Sequence, residues 1–203
     1  PLECSHLYLA IEGKLAAVIC VEDPLREEAA DVVRELKEAG ITKVVMMTGD
    51  SERTAAAIAK RVGVDEYYSE VLPEDKASFV EKEKELGHKV IMIGDGINDS
   101  LALSSASVGI AISDGAAIAR EIADVTISAD NLHEIVTLKR LSTALMKRIH
   151  NNYRTIIGVN GGLIALGVTG VIMPTTSALL HNLSTLTISL RSMRNYLPKE
   201  EEL

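Results

Sequence analysis

The 203-residue sequence has few cysteines, few aromatic residues and no excess of positive charge. It contains two cysteines, one phenylalanine and no tryptophan, and its formal net charge at pH 7 is −8. Cys4 and Cys20 have neither the spacing of a metal site nor the density of a disulfide-rich domain, which predicts free thiols in a reducing compartment. The acidic balance, without a stripe of basic residues, argues against a nucleic-acid partner.

Charged residues are missing altogether from one long stretch, because no Asp, Glu, Lys or Arg occurs between Thr155 and Leu190. Pro174 divides it into 155–173 and 175–190, and roughly 20 residues are needed to span a hydrocarbon core. Basic residues flank the stretch on both sides, which predicts a transmembrane helical hairpin with both ends in the cytoplasm. The alternative is a very apolar pair of buried helices.

Before this stretch, short β-rich runs alternate with helical patterns. Two apolar runs around Glu12-Gly13-Lys14 predict a β-hairpin. The alternation that follows predicts an α/β fold with a doubly wound parallel sheet. The later strands are predicted at 43–47, 67–68, 90–93, 108–112 and 125–127, and the helices at 24–39, 51–62, 73–86, 116–123 and 132–148.

The strongest local signal is the strand at 90–93, which runs directly into Gly94-Asp95-Gly96-Ile97-Asn98-Asp99. Open α/β sheets present ligand groups at the carboxyl ends of their strands. Asp95 and Asp99 supply hard carboxylate oxygens, and Mg²⁺ usually takes one or two of these while water and phosphate fill its other positions. The segment therefore predicts a magnesium-dependent, phosphate-handling site.

Two further segments supply groups that phosphoryl transfer needs. Thr48 offers a hydroxyl, and Gly49 allows backbone N–H groups to approach a phosphate oxygen. Lys76, near the start of a predicted helix, offers a positive charge. Phosphoryl transfer depends mainly on positioning and charge stabilisation. Taken singly, Thr48-Gly49-Asp50 is also an ordinary turn and Lys76 an ordinary solvated helix residue.

The order Thr-Gly-Asp, Pro-Glu-Asp-Lys and Gly-Asp-Gly-Ile-Asn-Asp resembles the phosphorylation domain of P-type ATPases, which belong to the haloacid-dehalogenase-like superfamily. Residues 21–26, residues 108–112 and the terminal hairpin resemble the heavy-metal-transporting branch. The likeness covers essentially the whole chain. It implies the end of a nucleotide-binding domain at 1–22, a haloacid-dehalogenase-like phosphorylation domain at 23–149 and a transmembrane helical hairpin at 150–198.

The resemblance also implies roles for single residues, with ATP and Mg²⁺ as cofactors. Thr48 would hydrogen-bond the phosphoryl group, Lys76 would neutralise it, and Asp50 would lie near the nucleotide. Asp95 would bind Mg²⁺. Asn98 and Asp99 would order the site around it, with Asp99 as the second choice for the Mg²⁺ ligand. Leu101 departs from the family, which usually has proline there; this removes some pre-organisation of the helix start but no ligand.

The phosphorylated aspartate of such pumps lies in an Asp-Lys-Thr-Gly-Thr motif, which this sequence lacks. The membrane motif with cysteine and proline is missing as well, and the chain starts at Pro1. We therefore expect a piece of a longer, multi-pass plasma-membrane pump, with its phosphorylation domain in the cytoplasm and its nucleophile upstream. Its partners would be ATP, a heavy-metal cation, the lipid bilayer and the upstream domains, and the piece alone should be inactive.

Polar side chains inside the uncharged stretch are candidates for the transported ion's site, since such groups are expensive in a membrane. Imidazole and oxygen ligands suit Zn²⁺, Co²⁺, Mn²⁺ or Ni²⁺, whereas Cu⁺ prefers sulfur ligands. No Met or Cys occurs between Thr175 and Leu190, which disfavours copper. The alternative is that these groups only tie helices together. The candidates are His181, Asn182, Ser184 and, in the first helix, Asn160.

Two other functions are compatible with parts of the sequence. A soluble haloacid-dehalogenase-like phosphatase would need its nucleophile inside this chain and no membrane segment. A catalytically inactive, membrane-anchored regulatory fragment would need neither the missing motif nor ATP. Residues upstream of Pro1 would distinguish the pump from both.

Overall fold

The computed structural model describes residues 5–21, 25–94, 98–112, 121–128 and 131–195. The chain divides into two compact units, Pro1–Val136 and Thr137–Leu203. Each unit is described by itself below.

The first unit begins with the expected antiparallel hairpin of β1 (Ser5–Ile11) and β2 (Lys14–Val21). Its loop is the dipeptide Glu12-Gly13, because Lys14 already pairs with Ile11. Both loop residues have positive φ, 49° and 75°, which matches the twist that two-residue hairpin turns require.

Cys20 on β2 is disulfide-bonded, so the prediction of a free thiol is wrong for this residue. Strand pairing places Cys20 opposite His6, two positions from Cys4 in the sequence. The position of Cys20 in the hairpin depends on the strand register, which cysteine spacing alone does not contain. Cys4 itself lies outside the described residues.

The described remainder of the first unit alternates strands and helices, whereas the helix predicted at 116–123 lies largely outside the described residues. The strands are β3 (Val45–Met47), β4 (Glu66–Tyr68), β5 (Ile91–Gly94), β6 (Val108–Ile112) and β7 (Val125–Ile127). The helices are α1 (Ala29–Glu38), α2 (Glu52–Val62), α3 (Pro73–Glu85) and α4 (Ser100–Ser105).

All strand pairs after the hairpin are parallel, which confirms the α/β class. They form two separate ladders, however, where one doubly wound sheet was expected. β3 pairs with β4, and β5, β6 and β7 pair in that order. Within the described ranges the two ladders are not hydrogen-bonded to each other, and β3 and β5 each keep one edge without a ladder partner.

Both ladders contribute to one apolar core. Its buried members come from α3, β5 and α4, and Met47 of β3 packs against them. α4 approaches β6 so closely that a Cβ at Gly109 would lie 2.6 Å from the Leu103 carbonyl oxygen. Burying a valine or leucine side chain contributes about 1.5–3 kcal/mol, so this core holds the strand ends in place. The buried members are Ala77, Val80, Met92, Ala102 and Leu103.

Two long helices follow. α5 (His133–Val168) has 36 residues and begins in the first unit; α6 (Pro174–Ser192) has 19 and lies in the second. The Arg148 guanidinium on α5 donates hydrogen bonds to the carbonyls of Ser192, Arg194 and Asn195, which fastens the end of α6 to α5.

None of the helices in the described ranges combines the length and the apolarity that a membrane crossing requires. The expected pair of transmembrane helices is therefore not found. Part of the reason is that α5 ends at Val168 and Gly170 takes a φ of 74°, so the uncharged stretch 155–173 is not helical throughout. In α6, His181, Asn182 and several Ser and Thr residues lower the apolarity.

Candidate functional site

The centre of the candidate site is an ion pair between Lys76 and Asp99. Lys76 Nζ lies 2.8 Å from Asp99 Oδ1, and the side chains are only 15% and 13% exposed. Removing two charges from water is costly unless they pair closely. The pair therefore fixes the position of a positive charge in a partly desolvated place.

Lys76 owes its place to the start of α3. Pro73 occupies the first turn, where its missing N–H costs nothing. The Asp75 carboxylate accepts a hydrogen bond from the Leu72 N–H at 3.3 Å. The helix is thereby fixed just ahead of Lys76, whose own N–H donates to the Leu72 carbonyl at 3.2 Å.

Asp99 is placed by the close approach of its side chain to the end of β5. A Cβ at Gly94 would lie 2.5 Å from Asp99 Oδ2 and 2.8 Å from Asp99 Cβ. Only glycine leaves this space free, so Gly94 permits the position of the carboxylate. Asn98 is exposed beside it, whereas Asp95 lies outside the described residues and its predicted role as a magnesium ligand stays a prediction.

The Thr48-Gly49-Asp50 segment forms a compact loop after β3. Thr48 Oγ1 donates to Asp50 Oδ2 at 2.7 Å and accepts from the Asp50 N–H at 3.1 Å. The backbone N–H of Thr48 also donates to the Tyr68 carbonyl at 3.0 Å. Such bonds also occur in an ordinary turn that is stabilised by side chains. The predicted role of Thr48, Gly49 and Asp50 at a phosphate therefore stays a prediction.

The structure therefore brings some predicted residues together and not others. Lys76 and Asp99 are in direct contact. In the part of the chain that the structure describes, no hydrogen bond or ion pair joins them to Thr48 or Asp50. The shared core nevertheless connects the two loops, because Met47 at the end of β3 packs against the cluster that contains Met92 of β5. The loops after these parallel strands thus stem from one core.

One perturbed carboxylate was missed by sequence reasoning. Glu52, at the start of α2, accepts hydrogen bonds from Ser69 at 2.5 Å and from the Tyr67 hydroxyl at 2.8 Å. These bonds hold the pKa of Glu52 below its ordinary 4.5, and the bond to Glu52 raises the pKa of Tyr67. A depression of about 550 Å³ beside it is lined by Glu52, Asp65, Glu66, Tyr67, Tyr68 and Ser69, none of them a predicted site residue.

The residues predicted to bind a transported ion lie in the second unit. His181 Nδ1 is 2.8 Å from Asn160 Oδ1, and the Ser184 hydroxyl donates to the His181 carbonyl at 2.8 Å. Asn182 is exposed. The described ranges contain no group of three or more His, Cys, Asp or Glu side chains suited to a metal ion. The bond between Asn160 and His181 joins the two helices, and the role of these groups in binding an ion stays a prediction.

Comparison with known proteins identifies the family. A model of the haloacid dehalogenase-like hydrolases matches residues 4–107, just over half of the chain. The chain belongs to the haloacid dehalogenase-like hydrolase family. The matched part of this haloacid dehalogenase-like domain contains Thr48, Lys76 and Asp99, and the expectation from the three ordered motifs is confirmed at the level of the family.

The curated relatives of this haloacid dehalogenase-like chain include heavy-metal P-type ATPases. The zinc-exporting P-type ATPase of Mycobacterium marinum is 38% identical over 93% of the chain. Copper-transporting ATPase 2 of Rhizobium meliloti is 44% identical over 87%. These matches cover only 26% and 21% of the relatives, so the chain spans about a quarter of their length. Their names differ in the metal, which leaves the metal of this chain unresolved.

A solved structure gives the same result for the fold of the haloacid dehalogenase-like chain. The crystal structure of a zinc-transporting PIB-type ATPase in its E2·Pi state matches with a TM-score of 0.83 and 30% identity. The match covers 95% of this chain and 32% of that protein. The likeness thus includes both units.

Proposed function

We propose that this chain is the phosphorylation-domain part of an ATP-driven heavy-metal cation pump that works through an aspartyl phosphate. The observation that carries the proposal is the partly desolvated Lys76–Asp99 pair at the end of a parallel strand. It occurs in a haloacid dehalogenase-like domain whose relatives are heavy-metal P-type ATPases over 93% of the chain.

In this proposal, Lys76 neutralises the transferred phosphoryl group, and Asp99 holds the ammonium in place. The Thr48 hydroxyl turns from Asp50 to a phosphoryl oxygen, since a hydroxyl proton rotates to suit its acceptor. Gly49 leaves the loop backbone open to the phosphate, and Asp50 lies near the ATP. A charge fixed before the reaction stabilises the transition state without reorganisation.

A magnesium ion fits the chemistry of this donor set. Carboxylate oxygens are the ligands that Mg²⁺ prefers, and Asp95 follows directly on β5. Asp99 is the second choice, because its Oδ1 is already paired with Lys76; its main role, with Asn98, is to order the loop. When bound, the ion would supply positive charge to the phosphate oxygens.

The nucleophile in this proposal is a carboxylate upstream of Pro1. Its oxygen attacks the γ-phosphorus of ATP, the bond to the β-phosphate oxygen breaks and ADP leaves. Water then cleaves the acyl phosphate and releases inorganic phosphate. Two observations on the described residues support this arrangement: β3 and β5 each have an edge without a ladder partner, and both strands contribute to one core, so a further strand could pair with both. One further parallel strand between them would bring its carboxyl end to the Lys76 charge.

The whole protein would be a plasma-membrane pump with this domain in the cytoplasm, in contact with the bilayer and with its upstream domains. Support comes from the relatives, which are named as exporters or transporters of metals. For the cargo we favour Zn²⁺, Co²⁺, Mn²⁺ or Ni²⁺ over Cu⁺, because α6 offers imidazole and oxygen atoms and no sulfur atom.

The test is phosphoenzyme formation by the full-length protein from radiolabelled ATP. Asp95→Asn should abolish labelling, because it removes the proposed magnesium ligand. Asp31→Asn on α1 is a matched control and should label normally, because the ion pair that the structure describes for Asp31 is with the exposed Arg34. If Asp95→Asn is labelled normally, the proposed magnesium site is wrong.

A further inference from the structure

A hydrogen bond between α5 and α6 fixes the chemistry of one imidazole. His181 Nδ1 lies 2.8 Å from Asn160 Oδ1, and the two residues are 21 positions apart in the sequence. An amide oxygen only accepts hydrogen bonds, so Nδ1 is the ring nitrogen that carries the proton. In the neutral ring, Nε2 then keeps its lone pair.

This tautomer is the one that a metal ligand needs. A histidine that binds a metal through one nitrogen usually donates the other ring N–H to an oxygen, which orients the ring and raises its basicity. Asn160 is half-buried, whereas His181 is exposed. The structure records no hydrogen bond to Nε2 from the part of the chain that it describes.

The hydroxyl groups of Ser184 and Thr185 do not bind the His181 ring. Ser184 and Thr185 both donate to the main-chain carbonyl of His181, at 2.8 and 3.1 Å. Hydroxyls bound back to the preceding turn in this way satisfy the helix backbone. They do not compete for Nε2, so the imidazole edge stays available.

We propose that Asn160 is a positioning residue that presents His181 Nε2 to the transported cation. We assign Asn160 this orienting role, and not that of a ligand, because its oxygen accepts the hydrogen bond from Nδ1. This inference rests on the proposed function, and it replaces the expectation that Asn160 and His181 both bind the ion. Imidazole nitrogen suits Zn²⁺, Co²⁺ and Ni²⁺.

The experiment measures ATPase activity of the full-length protein against the concentration of each free metal ion, Zn²⁺, Co²⁺, Ni²⁺, Mn²⁺ and Cu⁺. Asn160→Leu removes the acceptor and should raise the half-activating concentration about 10- to 100-fold, the usual effect of losing such a partner, with the maximal rate preserved. Asn160→Asp keeps the acceptor and should stay near the wild-type value. Asn151→Leu, on an exposed position of α5, is the matched control.

A spectroscopic readout separates positioning from general damage. The ¹⁵N chemical shifts of the His181 ring should show a protonated Nδ1 in wild type and in Asn160→Asp. In Asn160→Leu this preference should be lost while the helical circular dichroism is unchanged.

Each other outcome identifies what fails. If no metal ion stimulates the wild type, the proposed function itself is overturned. If divalent ions stimulate it and Asn160→Leu leaves the half-activating concentration unchanged, only the present inference is overturned. Stimulation by Cu⁺ alone, or an equal loss in Asn160→Asp and Asn160→Leu, would also contradict it.

Discussion

At the level of single residues, the contact between Gly94 and Asp99 controls the site. The strand end and the carboxylate come so close that a methyl group at Gly94 has no room, and Asp99 in turn holds Lys76. The position of the lysine charge therefore depends on the absence of a side chain at Gly94.

Gly94→Ala should displace Asp99 and weaken its pairing with Lys76. Forcing an extra methyl group into a tightly packed place costs about 1–3 kcal/mol, so the urea midpoint of the chain should fall. Gly158→Ala is the matched control: a Cβ there meets nothing within 4 Å, and alanine is favoured over glycine in a helix by about 1 kcal/mol. Equal stability of Gly94→Ala and wild type would contradict the described contact.

The sequence suggested candidate residues for the site but not how they pair. Lys76 was predicted to neutralise phosphate and Asp99 to order the site, with Mg²⁺ binding as its second choice, and in the structure the two side chains bind each other. His181 and Asn160 were likewise predicted as two ligands and form one hydrogen bond. Both pairs join residues more than 20 positions apart, and such contacts depend on how elements pack, which local patterns do not contain.

At the level of elements, a carboxylate fastens the corner between α1, α2 and β3. Asp65 Oδ1 accepts from Lys37 Nζ at 2.8 Å and its Oδ2 accepts from the Val44 N–H at 2.7 Å. Lys37 also donates to the Gly63 carbonyl at the end of α2. The hydrogen bond from Lys37, followed by that from Val44, lowers the pKa of Asp65 below its ordinary 3.8.

This corner should lose stability in acid. Because the folded-state pKa of Asp65 lies below 3.8, its contribution is complete above that pH and is lost as the pH falls through the folded-state value. The lowered pKa of Glu52 acts in the same direction below 4.5. Urea midpoints measured from about pH 6 down to about pH 3 should therefore fall, and less steeply in Asp65→Asn. The control Asp31→Asn should show the same fall of the urea midpoint with pH as wild type. If Asp65→Asn shows that same fall, the stabilising role of Asp65 is wrong.

Strand positions were predicted well where the apolar run alone decides them, and less well where a distant side chain intervenes. β6 and β7 lie where the sequence placed them, and β5 is shifted by one residue. β3 was expected from Lys43 but starts at Val45. The Val44 N–H is occupied by the Asp65 carboxylate, a contact that no local pattern reveals.

The bounds of the last two helices also could not be predicted fully from local sequence patterns. The expected membrane spans treated the whole uncharged stretch as helix, whereas α5 ends at Val168. Hydropathy reports which residues lack charge, but the backbone conformation of Gly170 decides where the helix stops. Two helices around Pro174 could be predicted from the lack of charge. The end of α5 could not, because it depends on the backbone conformation near Gly170.

At the level of the whole molecule, the chain spans about a quarter of the length of its curated relatives and contains the Lys76–Asp99 pair. Lys76 and Asp99 form an ion pair, and among the described residues β3 and β5 each have one edge without a ladder partner. The haloacid dehalogenase-like family follows from the sequence match. In the proposed function the nucleophile lies outside these residues, so the test of that proposal uses the full-length protein.

The most direct test of the central claim is the rate of phosphoenzyme formation from ATP in Lys76→Met. Losing a fixed charge at a developing negative centre should slow labelling about 10²- to 10³-fold. Lys82→Met, on an exposed position of the same helix α3, should label at the wild-type rate. In wild type the label should be sensitive to hydroxylamine, as an acyl phosphate is. A Lys76→Met protein that is labelled as fast as Lys82→Met would contradict the account.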